Sequence, residues 1–155
     1  MEKYEELLIE MDRAFKTADH LAYVTYPIVK EIRLLMSIIE NLDRALKAGM
    51  NAVLEYDRLY KRIGPLQESF EIRLDLFKSK IIMRHAINRE YAELIEMMDE
   101  LVTYKQKSPT IFQRKDKYVI ANHRYKLKTL TIEDVKKYVE KAKPFIFKVH
   151  NIISR

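Results

Sequence analysis

The residues best suited to chemistry in this chain are cations, and they cluster. Between Lys105 and Lys128 stand Lys105, Lys107, Arg114, Lys115, Lys117, Arg124, Lys126 and Lys128, with Asp116 as the only acid. The segment carries +7 while the whole chain carries +6, so everything outside it sums to about neutral. Aromatic residues are interleaved with the charges: Phe112, Tyr118 and Tyr125, with Tyr104 and His123 nearby. Cations neutralise phosphates and release counterions, and aromatic rings offer stacking platforms for unpaired bases. This pattern is the electrostatic footprint of a surface that meets RNA or another polyanion. A second reading stays open, because lysines on an edge strand also block edge-to-edge association, and Tyr125-Lys126-Leu127-Lys128 has the alternation for that. No zinc-finger spacing, RNP motif or GxxG clamp accompanies the charge.

Other chemistries have fewer residues to work with. There is no cysteine, which excludes thiol catalysis, disulfides, zinc ribbons and iron–sulfur ligation. Gly49 and Gly64 are the only glycines, too few for a P-loop, a Rossmann turn or a nucleophile elbow. None of His20, His85, His123 and His150 stands in an HExxH or ExxH arrangement, so no metal or other cofactor is expected. Glu6 with Glu10, and Glu96 with Glu100, put carboxylates one helical turn apart, a spacing typical of a solvated face. Arg84, His85 and Arg89 make a second small basic group. Met97 and Met98 suit core filling or an oligomer seam.

Helices must position these residues. Leu7, Leu8, Met11, Ala14, Phe15, Ala18, Leu21 and Ala22 have helical spacing over 4–26, with Pro27 as the expected stop. Over 30–63, Leu35, Ile39, Leu42, Leu46, Gly49, Val53, Tyr56, Tyr60 and Ile63 alternate steps of four and three, a heptad seam closed by Gly64-Pro65. Two such helices are expected to form a long antiparallel hairpin. Phe70 to Leu76 alternates like a strand but leads into Phe77, Ile81 and Ile82 at helical spacing, with Ser69 as a cap. A helix over 69–87 is therefore favoured over a strand. Asn88 opens the next helix, 88–106. Lys117 to Ile120 and Tyr125 to Leu130 are β-prone, with 121–124 as the turn, and predict a short basic β-hairpin over 117–130. Thr131, with Glu133 and Asp134, caps a last helix over 132–153, which Pro144 is expected to kink or restart. The expected fold is mainly all-α: one domain, 1–155, a helical bundle built on the long hairpin with the β-hairpin before the C-terminal helix. The charged start of the chain and the lack of a long apolar run predict no secretory signal, no membrane span and a cytoplasmic protein.

Arg13 and His20, with six residues between them, resemble the Arg-x(4–6)-His element of the HEPN family. The helical run from Leu42-Asp43-Arg44-Ala45-Leu46 through Ala52-Val53-Leu54-Glu55-Tyr56 is similar in style to that group. The resemblance implies a small helical bundle and either a metal-independent ribonuclease or a nucleic-acid-binding component of a toxin–antitoxin system, with Arg13 and His20 as catalytic residues. The motif stands in the first helix here, whereas the family carries it late in the bundle. Read from the residues alone, Arg13 is a solvated helix charge and His20 a partly buried polar neighbour. With Tyr23-Val24-Thr25-Tyr26-Pro27 and Ser108-Pro109 at its joints, the chain also resembles small archaeal helical proteins, a likeness that implies no activity.

The leading expectation is a non-enzymatic protein that binds nucleic acid, RNA before DNA, through Lys105, Lys107, Arg114, Lys115, Lys117, Tyr118, Arg124, Tyr125, Lys126 and Lys128. The alternatives are the HEPN-like ribonuclease and a helical adaptor whose heptad seam holds a second copy or a helical partner.

Overall fold

The structure, a computed structural model, describes residues 1–107, 110–114, 117–121 and 127–154, and the side chains of these outside 107–128. The chain is mainly helical. Helix α1 (Lys3–His20) runs through a π turn (Leu21–Thr25) into α2 (Tyr26–Val29), and α3 (Leu34–Leu59) follows. Helix α4 (Phe70–Leu76) passes through a second π turn (Phe77–Ile81) into α5 (Ile82–Arg84). Then come α6 (Glu90–Lys107), the strands β1 (Thr110–Arg114), β2 (Lys117–Ala121) and β3 (Leu127–Leu130), and α7 (Ile132–Ile153).

Helix α3 is the centre of the molecule. The heptad positions from Leu35 to Tyr56 are buried, and so are Met36, Ile38, Ala45, Met50 and Leu54 on its other sides. A two-position seam would need one neighbour; α3 has three, with α1, α6 and α7 all packed on it. Tyr4 meets Tyr56 edge to face at 5.2 Å between ring centroids, while Met11 stands opposite Gly49, so α1 and α3 run in opposite directions. Tyr23 donates to Glu140 at 2.7 Å and His150 pairs with Asp12 at 2.7 Å, which sets α7 antiparallel to α1. Tyr60 lies 55% exposed and Ile63 falls outside the helix, so the seam ends before the sequence pattern does.

Several boundaries differ from the sequence expectation for identifiable reasons. Pro27 does not stop the first helix. Tyr26 keeps helical angles (φ −60°, ψ −43°), and the π turn just upstream bonds the Tyr26 N–H to Leu21 O. Widening the turn is one of the known ways a helix absorbs the missing donor and bulky ring of a proline. The stop comes instead at Lys30, which is left-handed (φ 52°). Pro144 likewise leaves α7 unbroken from 132 to 153. Residues 70–76 are helix, not strand: Ser69 Oγ accepts from Ile72 N, and Leu74, Phe77 and Ile81 are buried at helical spacing while Ile72 is exposed.

Asn88 Oδ1 accepts from Glu90 N at 3.0 Å and starts α6. A full capping box starts α7: Asp134 N donates to Thr131 Oγ1, and Thr131 N donates to Asp134 Oδ2, both at 3.2 Å. The three strands form one antiparallel sheet in the order β1-β2-β3. β1 was not expected from sequence, and Ala121 belongs to β2 rather than to the turn; the rest of the expected turn, 122–124, and the first two residues of the expected second strand, 125 and 126, lie outside the described residues. Leu130 of β3 is buried in the helical core, while Thr129 beside it is exposed.

Gly49 sets how closely the helices approach. A Cβ built there would lie 2.9 Å from Phe145 Cε2 and 3.0 Å from Met11 Sδ. The methionine can yield, but Phe145 is fully buried and held edge-on to Phe77 at 6.3 Å and tilted against Tyr91 at 5.5 Å. Gly49→Ala should therefore lose about 1–3 kcal/mol to overpacking, only partly offset by about 1 kcal/mol of helix propensity. Gly64 has no atom within 4 Å of such a Cβ, so Gly64→Ala serves as the control. Urea unfolding should give a lower midpoint for the first variant and an unchanged or slightly higher one for the second.

Candidate functional site

The basic segment that dominates the sequence is described only in part. Lys105, in the last turn of α6, donates to Glu40 Oε1 of α3 at 2.9 Å, so an acid partner compensates its charge. The strand register sets Arg114 opposite Lys117, Tyr118 between Gln113 and Leu130, and Lys128 opposite Ile120. Pairing thus brings backbone positions 114 and 117 together and puts Lys128 on a neighbouring strand. Lys115, Arg124, Tyr125 and Lys126 lie outside the described residues, as do the side chains of Lys107, Arg114, Lys117, Tyr118 and Lys128.

Arg13 and His20 are both exposed on α1. Seven residues of helix separate them by about 10.5 Å along the axis. Arg13 lines a cleft with Glu6, Glu10, Thr17, Asn41 and Arg44. His20 is not among the residues lining that cleft. Glu96 pairs with Lys78 at 2.8 Å, and Glu100 is exposed. Met98 is buried core and Met97 partly exposed.

The best-built polar cluster is one that sequence reasoning reached from one side only. Asp57, on the last turn of α3, is completely buried. His85 Nε2 lies 3.0 Å from its Oδ1 and 2.9 Å from its Oδ2. Arg62 Nη1 donates to Oδ1 at 3.0 Å, and Arg84 Nε stands 3.6 Å from Oδ2. A buried carboxylate needs this much compensation. Of the sequence group Arg84, His85 and Arg89, the first two converge here, while Arg89 is exposed and takes no part. The missed signal was Asp57 itself. It continues the buried row Met50 and Leu54 at helical spacing, where an acid is out of place unless paired.

Two helix ends meet at this aspartate. After α3, Arg62 N donates to Asp57 O and Lys61 N to Arg58 O, with Lys61 left-handed at φ 59°. After α5, Ile87 N donates to Ile82 O, with Ala86 left-handed at φ 52°. Both are Schellman-type stops, usually occupied by glycine. Neither carries one, and a Cβ in that region costs roughly 1–2 kcal/mol. Replacing Ala86 by Gly should raise stability by about 1 kcal/mol, the reverse of the usual glycine penalty. A denaturation midpoint at or below that of the parent would contradict this account.

Aromatic rings flank the cluster. The Arg62 guanidinium lies 5.7 Å from the Tyr56 ring centroid and 5.4 Å from that of Tyr60, and Tyr56 and Tyr60 meet edge to face at 4.9 Å. Beside them the loop after α3 roofs a cavity of about 590 Å³ lined by Glu55, Arg58, Lys61, Ile63, Pro65 and Arg73. Glu55 binds Arg58 at 3.0 Å, and Arg73 reaches Asn51 at 3.1 Å and the carbonyl of Gln67.

A second cavity, of about 510 Å³, lies where α1 and α6 leave part of α3 open, between Glu10, Glu40, Asp43, Arg44, Lys47 and Lys105. Lys47 donates to Asp99 Oδ1 at 2.7 Å and to Asp43 Oδ2 at 3.2 Å, and its ammonium sits 4.6 Å over the Phe70 ring. Asp43 Oδ1 is buried without a well-angled donor, although Lys47 Nζ is 3.1 Å away. Burial pushes the Asp43 carboxyl above its usual range, and the Lys47 charge pulls it only partly back. Burial works to lower Lys47, but the bond to Asp99 and the Asp43 charge outweigh it and hold the ammonium above its usual range.

Lys47→Met should cost about 2 kcal/mol near pH 7, because two partly buried carboxylates lose their shared cation. An Asp43 whose folded pKa is raised further binds a proton more readily than the unfolded chain does. The deficit should therefore shrink as pH falls through the carboxylate range. Chemical denaturation at neutral and acid pH measures this, and a pH-independent deficit would refute the ionic account.

Among the described residues no group of histidines and acids is placed to hold a metal ion, and no helix is long and apolar enough to cross a membrane. No family model matches the chain, and no curated protein and no solved structure matches it either.

Proposed function

We propose that this protein is a non-enzymatic binding protein that engages nucleic acid, RNA before DNA, through the basic segment 105–128. One observation carries the reading: a net +7 concentrated in that segment of a chain that is otherwise about neutral. Charge spread evenly for solubility would not be segregated in this way. The sheet supports it, because antiparallel pairing sets Arg114 beside Lys117 and adds Lys128 on a neighbouring strand. In this reading the chain is one helical domain, the antiparallel pair α1 and α3 is its scaffold, and the basic strands before α7 are the contact surface.

Binding should weaken steeply with salt, since each neutralised phosphate releases counterions. Replacing Arg114, Lys117, Arg124 and Lys126 together by Gln should abolish most of it, with the log–log salt slope falling by roughly 0.7 per lost contact on single strands. Filter binding of a single-stranded RNA at low salt is the assay. No retention at high protein concentration, or equal retention by the four-site variant, sinks the proposal. Cleavage of that RNA without divalent metal, lost in His20→Ala, would replace it with the HEPN-like ribonuclease. A stable homodimer or hetero-complex without nucleic-acid affinity would replace it with the adaptor.

A further inference from the structure

The Asp57 cluster lies at the other end of α3 from Glu40 and Lys105, about 25 Å away along the helix axis, and is independent of the basic segment. We infer that it is a binding site for a nucleoside phosphate unit, with Arg62 and Arg84 taking the phosphate and the Tyr60 ring stacking on the base. The inference goes beyond the proposed function and uses none of its residues.

The argument starts from charge balance. One buried carboxylate, Asp57, gathers two permanent guanidinium groups and an imidazole. Two like-charged arginines sharing one acid leave an uncompensated positive charge at the surface. Arg58 does not add to it, being paired with Glu55. Lys61, next to Arg62 in sequence, is exposed at the mouth of the neighbouring cavity with Glu55 and Glu68; it makes no ion pair among the described residues, so its charge adds to the field at this end of α3. The acids at this end of α1 are Glu2, Glu5 and Glu6; the first two lie near Tyr4, Glu6 lines the cleft with Arg13, and none of them pairs with Arg62 or Arg84 among the described residues.

Donor geometry points the same way. Arg62 spends Nη1 on Asp57, and Arg84 is oriented by Asp57 and by a long 3.4 Å bond from Nη2 to Arg62 O. Both side chains remain more than a third exposed, at 36% and 39%. Each is thus anchored on its buried side and open on its outer side, the arrangement in which a planar guanidinium binds phosphate with little further loss of freedom. The left-handed Lys61 puts the sharp turn of the chain between Tyr60 and Arg62. The Tyr60 ring, stacked by Arg62 and braced by Tyr56, is 55% exposed, which gives a base a fixed aromatic surface beside the phosphate position.

The test uses the full chain carrying the four-site Gln substitution in the basic segment, so that failure of the nucleic-acid reading leaves it unaffected. Amide chemical shifts are followed on titration with AMP, adenosine, inorganic phosphate and a short single-stranded oligoadenylate. AMP or the oligonucleotide should shift residues 60–62 and 84–87 saturably, phosphate more weakly, and adenosine least. Saturation by AMP identifies a free nucleotide as sufficient, and saturation by the oligonucleotide alone identifies the unit within a strand. Tyr60→Ala should weaken AMP binding about tenfold and leave phosphate binding unchanged. Lys61→Gln, which removes an exposed charge that makes no ion pair among the described residues, should weaken both. Arg84→Gln should weaken both further, with unfolding by urea checking that the fold persists. Absence of saturable shifts at these residues with every ligand overturns the inference, as does AMP binding by Tyr60→Ala and Lys61→Gln as tight as that of the parent.

Discussion

The packing of this molecule depends on one close approach. At Gly49 the central helix has no side chain, and both α1 and α7 press into the space, with Met11 and Phe145 within about the reach of a single methyl group. A helix covered by three others would ordinarily be held off by its own side chains at roughly 8–10 Å between axes. Removing one Cβ lets two neighbours share the same stretch of α3. Phe145 then becomes the hub where α7 meets Phe77 of the second π turn and Tyr91 of α6. Segments distant in sequence are thereby locked to one point of the core.

That constraint explains which parts of the fold the sequence reveals. The seam from Leu35 to Tyr56 was legible because burial repeats with helical period, and the Thr131 capping box because its residue types are specific to a helix start. The π turns were not legible, since a wide turn leaves no residue-type signature; the first shows only as a proline that fails to end a helix. The end of α3 was misplaced for a related reason. Gly64-Pro65 is the stronger local stop signal, yet the chain turns at Lys61, where a buried acid one turn earlier holds Arg62 in place. A tertiary contact there overrides local preference. The strand β1 is not legible because Thr110 to Arg114, although Ser108-Pro109 precedes it, has no clear alternation to announce it.

The candidate sites divide along the same line. Clustered charge is visible in any sequence, so the basic segment is legible without a fold. Asp57 did not, because its meaning comes from Arg62, Arg84 and His85, which only the folded chain brings to it. Charge segregation and charge convergence are different signals. The first is a property of composition along the chain and speaks for a diffuse, salt-sensitive surface. The second needs a fold, and it speaks for fixed donors at defined positions.

The contact between Asp57 and His85 also spans 28 residues of chain. Everything from the end of α3 to the end of α5 is thus a closed loop, fastened at its base by a buried polar knot and along its length by Phe77 and Ile81 in the core. Such a segment does not fray from a free end, because it has none. To leave α3 it must break the knot and expose the apolar row together. The region behaves as one cooperative unit of opening, and amide protons from 70 to 84 should exchange by a common event rather than in a gradient along the helix.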